Sequence, residues 1–303
     1  MSENNNNRTL RLLFPQWQGG GNNPPYILGA HLLNWLAPKS EGPFEEVPVS
    51  SNLDEEKVNG IMARGTVLKQ ARSAKELIHK HNPDSIVVLG GDCSVELAPF
   101  AYLNEKYKGD TALLWVDAHP DVYIPEDFPN HHAMVLANLL GVGDKEFVAE
   151  VPRIFKPEQV LFVGLNDLLE PLNSESLRNL KLDILGPDEI KQDSSNVLQW
   201  LDERKPSKII IHFDLDVLDM TEFRSLLVAY PGTYEEYKDK FPRGVRMEAI
   251  IRVLQDIAKS YDVVGLGITE HFPWDSYFLQ NMLSRLPLIG DIDKTERPKF
   301  NPL

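Results

Sequence analysis

The segment from residue 208 to residue 219 reads KIIIHFDLDVLD, a short apolar run that ends in a cluster of aspartates. Nearly continuous apolar runs of this length are typical of strands buried on both faces of a parallel sheet. Runs of the same character occur at Leu10–Phe14, Ser85–Leu89, Ala112–Val116, Val160–Val163 and Val263–Ile268. Together with Lys208–Phe213, these runs predict the strands of one mostly parallel sheet.

Amphipathic stretches separate the predicted strands. Apolar residues recur at helical spacing in four of them: Asp54–His81, Ser94–Tyr107, Ser194–Arg204 and Arg246–Tyr261. Regular alternation of strands and helices places helices on both faces of a parallel sheet. The predicted fold class is therefore α/β, a three-layer α/β/α sandwich around a mostly parallel central sheet.

The composition narrows the classes of partner. The 303 residues include 31 Lys and Arg against 45 Asp and Glu, a net charge of −14. An acidic surface repels phosphate backbones and anionic lipid, so we expect no nucleic acid or membrane partner, and it favours a cationic small ligand. The single cysteine, Cys93, excludes an intramolecular disulfide framework. No apolar run approaches the roughly 20 residues that a membrane span needs.

The chain shows no linker long enough to separate two domains. We predict a disordered tail at residues 1–8 and a single catalytic domain at residues 9–303. The polar N-terminal stretch lacks the apolar segment of a secretory signal, which leads us to expect a cytoplasmic location. Two segments interrupt the alternation: a glycine-rich loop at residues 17–25, and a long connection at residues 219–244 that is expected to be functional.

Polar residues follow three of the predicted strands. The sequences are GGDCS at residues 90–94, DAHPD at residues 117–121 and DLD at residues 214–216. Ligands bind at the carboxyl ends of the strands in open α/β sheets, so these segments are expected to meet in one crevice. Side chains two residues apart in an extended segment face the same way, and grouped carboxylates repel each other unless cations lie between them. The pattern indicates a site for one or two divalent cations.

The three segments resemble the signatures of the ureohydrolases, the family of arginases, agmatinases and their relatives. Their order and spacing agree with that family from about Leu10 to Pro287. The resemblance implies a metal-dependent amidinohydrolase with two Mn²⁺ ions per chain, and it allows a homo-oligomer. The implied reaction cleaves the guanidino group of a small molecule to urea, or a urea-like product, and an amine. Arginine derivatives such as N-hydroxyarginine, agmatine or similar compounds are the implied substrates.

The resemblance also implies a role for individual residues. Asp117 and Asp214 would bridge the two metals. The complete set of implied metal ligands is Cys93, Asp117, His119, Asp121, Asp214 and Asp216, with His119 and Asp216 completing one site and Cys93 and Asp121 the other. His132 would carry the proton to the leaving amine, and Glu270 would pair with the guanidinium. A carboxylate forms two parallel charge-assisted hydrogen bonds with that planar cation.

Several positions depart from the family pattern, among them Ala133, which stands in place of a glycine beside His132. Cys93 stands in place of a metal-binding histidine, and a thiolate suits zinc or ferrous iron better than manganese, so one site would be weakened or would take another metal. The alternative is that Cys93 is an inert buried thiol. Met220 replaces a proline, and Tyr123 replaces an asparagine of the arginases, which favours an agmatinase-like substrate over arginine.

Two other interpretations of the whole chain stay open. One is a zinc deacetylase-type hydrolase on the same fold, and the other is a non-catalytic, ligand-binding member with a degenerate metal site. Among the other histidines, His131 is an alternative proton shuttle. His212 is placed on the opposite strand face from Asp214 and is interpreted as a hydrogen-bonded core histidine, with a role beside the metals or toward the substrate as the alternative.

Overall fold

A computed structural model describes residues 8–166, 179–232, 244–291 and 293 of the chain. Residues 1–7 of the predicted tail lie outside the described residues, as do residues 233–243 of the long connection. The assignment of residues 9–303 to a single domain stays a prediction. Within the described ranges, no helix combines the length and the apolar character that crossing a bilayer requires.

The centre of the molecule is an eight-stranded sheet in which every strand pair is parallel. Its strands are β1 (Thr9–Phe14), β2 (Phe44–Glu46), β5 (Ser85–Gly90), β6 (Thr111–Val116), β7 (Val160–Val163), β8 (Asp183–Leu185), β9 (Lys208–Asp214) and β10 (Val263–Thr269). Their order in the sheet is β2-β1-β5-β10-β9-β6-β7-β8. Two further strands, β3 (Lys57–Val58) and β4 (Ile61–Met62), form a separate two-stranded sheet. All six predicted strands are confirmed to within one residue at each end. The sequence analysis missed the short edge strands β2 and β8, which offer only three residues of pattern each.

Helices connect the strands. They are α1 (Pro25–Leu36), α2 (Arg64–His81), α3 (Leu97–Lys106), α4 (Val135–Leu139), α5 (Lys145–Val148), α6 (Pro187–Ile190), α7 (Ser195–Arg204), α8 (Met247–Ser260) and α9 (Trp274–Leu283). The predicted helix at Asp54–His81 is wrong before Arg64, because β3 and β4 form a small antiparallel hairpin there. Asn59 and Gly60 both have positive φ, the conformation that favours a tight hairpin turn. The predicted helix at Ser94–Tyr107 instead begins with a 3₁₀ turn at Cys93–Glu96.

Alternating residues of the strands fill two separate apolar cores. Leu113 and Trp115 of β6 point into a core shared with α2, α3 and α4. Leu114 and Val116 point into a second core on the other face, shared with α7 and α8. These two cores are the interfaces of a three-layer α/β/α sandwich, and the predicted fold class is confirmed.

Candidate active site

The candidate active site lies at the carboxyl ends of β5, β10, β9 and β6, which are neighbours in the sheet. The chain passes from β5 to β6 across the two strands between them, and a crevice forms at such a change in strand order. A cavity of about 490 Å³ opens at this edge. The polar residues that line it include His119, Asp121, His132, Asp214, Asp216 and Glu270.

Two short loops hold the acidic residues of β6 and β9 in place. The Oδ1 atom of Asp117 accepts a hydrogen bond from the backbone N–H of His119 at 2.6 Å. Asp214 Oδ1 likewise accepts from the backbone N–H of Asp216 at 2.7 Å. Side chains of Asp that bind the backbone two residues ahead stabilise tight turns. The loops meet where His119 Nδ1 lies 2.8 Å from Asp216 Oδ2.

The six predicted metal ligands all come together at this edge. Their side chains form three groups of possible ligands in which the ligand atoms lie within 4.8 Å of one another. The groups are Asp117 with His119 and Asp216, Asp117 with Asp121 and His212, and Cys93 with His212 and Asp214. The structure thus places all six predicted metal ligands close together, and it adds His212 to two of the groups. The assignment of each residue as a ligand stays a prediction.

The charges of the cluster favour cations. Burial and nearby carboxylates raise the pKa of Asp121 and of Asp214 well above the usual value, because the acids repel one another. No Lys or Arg is found among the described residues that line the cavity. Asp121 Oδ2 is buried and has no hydrogen-bond partner in the described part of the chain. Oxygen and imidazole donors of this kind suit divalent cations, so the residues fit divalent metal binding.

Cys93 lies inside the acidic cluster. Its Sγ atom donates a hydrogen bond to Asp214 Oδ2 at 3.1 Å and lies 3.5 Å from Glu270 Oε1. Burial, followed by the charge of Asp214, raises the pKa of the thiol well above its usual value. The side chain is as buried as an inert thiol would be, but it contacts carboxylates that belong to the candidate site. Both interpretations of Cys93 are therefore still open.

The glycine-rich loop closes over the site from β1. A Cβ atom on Gly19 would lie 2.3 Å from Ser94 Oγ, so only glycine fits there. The backbone N–H of Gly20 donates to Asp92 Oδ2 at 2.8 Å. The Gly19 carbonyl accepts from His132 Nδ1 at 2.9 Å, which fixes the imidazole at the cavity wall. Burial lowers the pKa of His132, so its resting form is neutral.

Glu270 follows β10 and reaches the same cavity. Its backbone has a φ of 63°, and its N–H donates to the Gly91 carbonyl at 2.9 Å. The Tyr26 hydroxyl donates a hydrogen bond to Glu270 Oε2, which orients the carboxylate. Burial raises the pKa of Glu270 well above its usual value, and a cationic ligand would lower it again by favouring the charged form.

The placement predicted for His212 is wrong in one respect. His212 and Asp214 lie two residues apart on β9 and therefore share a face, since side chains alternate along a strand. The ring is buried and hydrogen-bonded, as predicted, but its partners are Glu96 and Asp117 of the site. Burial lowers the pKa of His212, and the two carboxylates raise it more, to about 10.

The sequence analysis also missed Glu96 and Tyr26 as site residues. Glu96 follows the quoted GGDCS segment by two positions. Tyr26 directly follows the glycine-rich loop at residues 17–25 and lies far in sequence from the three polar segments. The alternation of side chains along β9 was the one feature of the sequence that pointed to Glu96. It places His212 on the same face as Asp214, where a buried histidine is expected to have an acidic partner. Nothing in the sequence pairs Tyr26 with Glu270.

Comparison with known proteins agrees with this arrangement. The profile of the Arginase family matches residues 23–275. The chain belongs to the arginase family. An arginase from Staphylococcus aureus (strain MRSA252) is 31% identical over 145 residues, which is 45% of this chain and 47% of that protein. The chain thus spans about half the length of this curated relative.

Solved structures show the same fold. The arginase of Entamoeba histolytica in complex with L-ornithine superposes with a TM-score of 0.70 at 20% identity, covering 88% of this chain and 92% of that chain. The formimidoylglutamase of Bacillus subtilis has a TM-score of 0.61 at 18% identity, covering 88% of this chain and 79% of that chain. Both structures confirm the arginase-like fold of the chain.

Two departures of this arginase-family chain lie at the cavity itself. Tyr123 and Met220 both line it, next to Leu218 and the segment Leu226–Val228. Leu226–Val228 belongs to the long connection at residues 219–244, which was predicted to be functional. The described part of that connection lines the candidate site. The cavity therefore combines an acidic floor with an apolar wall.

Proposed function

We propose that the protein hydrolyses the guanidino group of a small cationic molecule to urea and an amine. The observation that carries this proposal is the convergence of Glu270 and the acidic cluster on one cavity that has no Lys or Arg among its described lining residues. A buried carboxylate without a cationic partner is costly, and a guanidinium provides both the charge and a matching pair of donors. Membership of the arginase family supports the same chemistry.

The residues that would hold a pair of divalent cations are Cys93, Asp117, His119, Asp121, Asp214 and Asp216. When bound, such a pair supplies activation of water and stabilises the negative charge that develops as the guanidino carbon becomes tetrahedral. Manganese is the proposed metal, since carboxylates and imidazole suit it. The thiol of Cys93 would favour zinc or ferrous iron at its own position.

Glu270 binds and orients the substrate. Its Oε2 atom is held by Tyr26, and the carboxylate faces the cavity from the end of β10. A guanidinium that donates to this carboxylate would present its carbon to the acidic cluster formed by Asp117 and Asp214. The contact with Glu270 would therefore orient the guanidino group without help from a second charged group elsewhere on the substrate.

His132 moves the proton that the leaving nitrogen needs. Because Nδ1 is hydrogen-bonded to the Gly19 carbonyl, Nε2 is the ring nitrogen able to exchange a proton with a molecule in the cavity. The lowered pKa of His132 makes Nε2 a proton acceptor at neutral pH. Nε2 would accept a proton from the attacking water and pass it to the leaving amine, so that one guanidinium and one water give urea and a protonated amine.

The wall of the cavity indicates a substrate without a carboxylate on its tail. The residues along it are apolar or aromatic: Tyr123, Phe128, Leu218, Met220, Leu226, Leu227 and Val228. An α-carboxylate such as that of arginine would be desolvated there with no Lys or Arg partner among the described lining residues. Agmatine and related guanidinoalkanes fit this wall better than arginine or N-hydroxyarginine.

Urea release from a panel of guanidino compounds tests the proposal. The panel contains agmatine, arginine, N-hydroxyarginine and 4-guanidinobutyrate, the last differing from agmatine in its charged end group. We expect kcat/KM for agmatine to exceed that for arginine and for N-hydroxyarginine by at least about tenfold. A buried carboxylate that lacks one hydrogen bond costs about 1.5 kcal/mol or more, which corresponds to that factor. A preference for arginine would contradict the inferred tail, and no urea from any compound with metal bound would contradict the proposed reaction.

A further inference from the structure

His212 is a fully buried imidazole at the centre of the sheet edge. It lies on β9 next to Trp115 of β6, and the two rings stack with their centroids 3.8 Å apart. Glu96 and Asp117 lie on either side of the ring and are themselves buried. The mechanism described above makes no use of His212 or of Glu96.

The ring of His212 is fixed in one orientation. Nδ1 is hydrogen-bonded to Glu96 Oε2, and Nε2 lies 3.3 Å from Asp117 Oδ2. Space for the Glu96 carboxylate depends on Gly267 of β10, where a Cβ atom would lie 1.6 Å from Glu96 Oε1. A carboxylate that holds one ring nitrogen, so that the other points at a cluster of ligands, is the arrangement usual for metal-binding histidines.

His212 belongs to two groups of possible ligands. One group contains Asp117 and Asp121, and the other contains Cys93 and Asp214, each with its ligand atoms within 4.8 Å. Both groups are entirely buried, unlike the group around His119. The two buried groups share only His212 among their members, so its imidazole is the element that joins them.

We propose that His212 is a ligand of the buried cation through Nε2 and that Glu96 positions it; this inference rests on the metal centre of the proposed function. The other groups around that cation are a thiol and carboxylates, and the imidazole, which would release its Nε2 proton on binding the cation, completes the set without adding negative charge. Imidazole also suits manganese better than the thiol of Cys93 does. Glu96 is a positioning residue in this arrangement, because it acts through the ring.

Metal binding, measured independently of catalysis, tests the assignment. The variants are His212→Gln, Glu96→Gln and, as the control, His131→Gln. His131 is an equally buried histidine, hydrogen-bonded to Ser94 and Asn138, and belongs to none of the ligand groups found among the described residues. Manganese binding is followed by titration calorimetry and by metal analysis after gel filtration. We expect the affinity of one of the two ions to fall by more than about 100-fold in His212→Gln and by about 10- to 100-fold in Glu96→Gln, with no change in His131→Gln.

A spectroscopic measurement keeps the test valid if His212→Gln does not fold. In a His119→Gln/His132→Gln double variant loaded with Mn²⁺, pulsed electron paramagnetic resonance should still detect coupling to an imidazole nitrogen. Both histidines that line the cavity are then replaced, and His212 is the one histidine that remains in the ligand groups of the described residues. Absence of this coupling, or unchanged manganese affinity in a folded His212→Gln, would overturn the assignment. So would a wild-type protein that binds no divalent cation.

The same data separate this inference from the proposed function. Binding that depends on His212 without hydrolysis of any guanidino compound would contradict the proposed function and support the ligand assignment. If the wild-type protein releases urea and its manganese affinity does not depend on His212, the proposed function is supported and the ligand assignment is contradicted.

Discussion

The change from Glu270 to Gln keeps the size of the side chain and removes its charge. In the structure, Tyr26 holds Oε2 of this buried carboxylate, and Oε1 lies 3.5 Å from Cys93 Sγ. A glutamine can still accept the Tyr26 hydrogen bond through its carbonyl oxygen. Its amide nitrogen then takes the place of Oε1, where it can no longer accept a hydrogen bond from a guanidinium.

The magnitude follows from that geometry. One charge-assisted hydrogen bond, worth about 1.5–3 kcal/mol, is lost, and the attraction between the opposite charges is lost with it. We therefore expect a loss of about 2–4 kcal/mol in transition-state binding, or about 30- to 1000-fold in kcat/KM. The measurement is urea release from agmatine at saturating manganese, with kcat and KM determined separately.

The matched control is Glu248→Gln, which removes the same charge from an exposed position at the start of α8. That variant should have wild-type kinetics. Thermal unfolding of Glu270→Gln should give a midpoint no lower than that of wild type, because an electrostatically costly buried carboxylate has been neutralised. Unchanged kcat/KM in Glu270→Gln would show that the substrate cation binds elsewhere and would refute the role assigned to Glu270.

Three further outcomes are expected. Asp117→Ala and Asp214→Ala should each leave less than about a hundredth of wild-type activity and release both ions on gel filtration, and retained activity would exclude a bridging role. Cys93→His should lower the manganese concentration at half-saturation, whereas unchanged metal binding with a lower unfolding midpoint would identify Cys93 as a packing residue. Asp144→Asn should cost up to about 3 kcal/mol of unfolding free energy, because it leaves the buried guanidinium of Arg64 with only the more distant and exposed Glu146 as a charged partner. Burial raises the pKa of Asp144, but Arg64 lowers it more, to below the usual 3.8. The stabilisation by the charged carboxylate is therefore complete above that pH. The difference in unfolding free energy between wild type and Asp144→Asn should shrink as acid protonates the carboxylate.

The six longer strands of the sheet and the residues at their ends could be predicted from the sequence. Buried parallel strands are continuous apolar runs, and the runs that end in Asp117 and Asp214 are followed at once by polar ligands, so local order along the chain carries both the fold class and most of the site. The amphipathic pattern did not locate the start of α2, since it does not distinguish a helix from the hairpin that Asn59 and Gly60 form before it.

Only the tertiary structure decided which side chains meet across the site. Glu96 reaches His212, and Tyr26 reaches Glu270, over separations of 116 and 244 residues. Such pairs depend on the order of strands in the sheet and on the close approach that a glycine such as Gly267 permits. The sequence determined which residues stand at each strand end because that is a local property of the chain. The partners of those residues are set by packing between distant segments, which no local pattern contains.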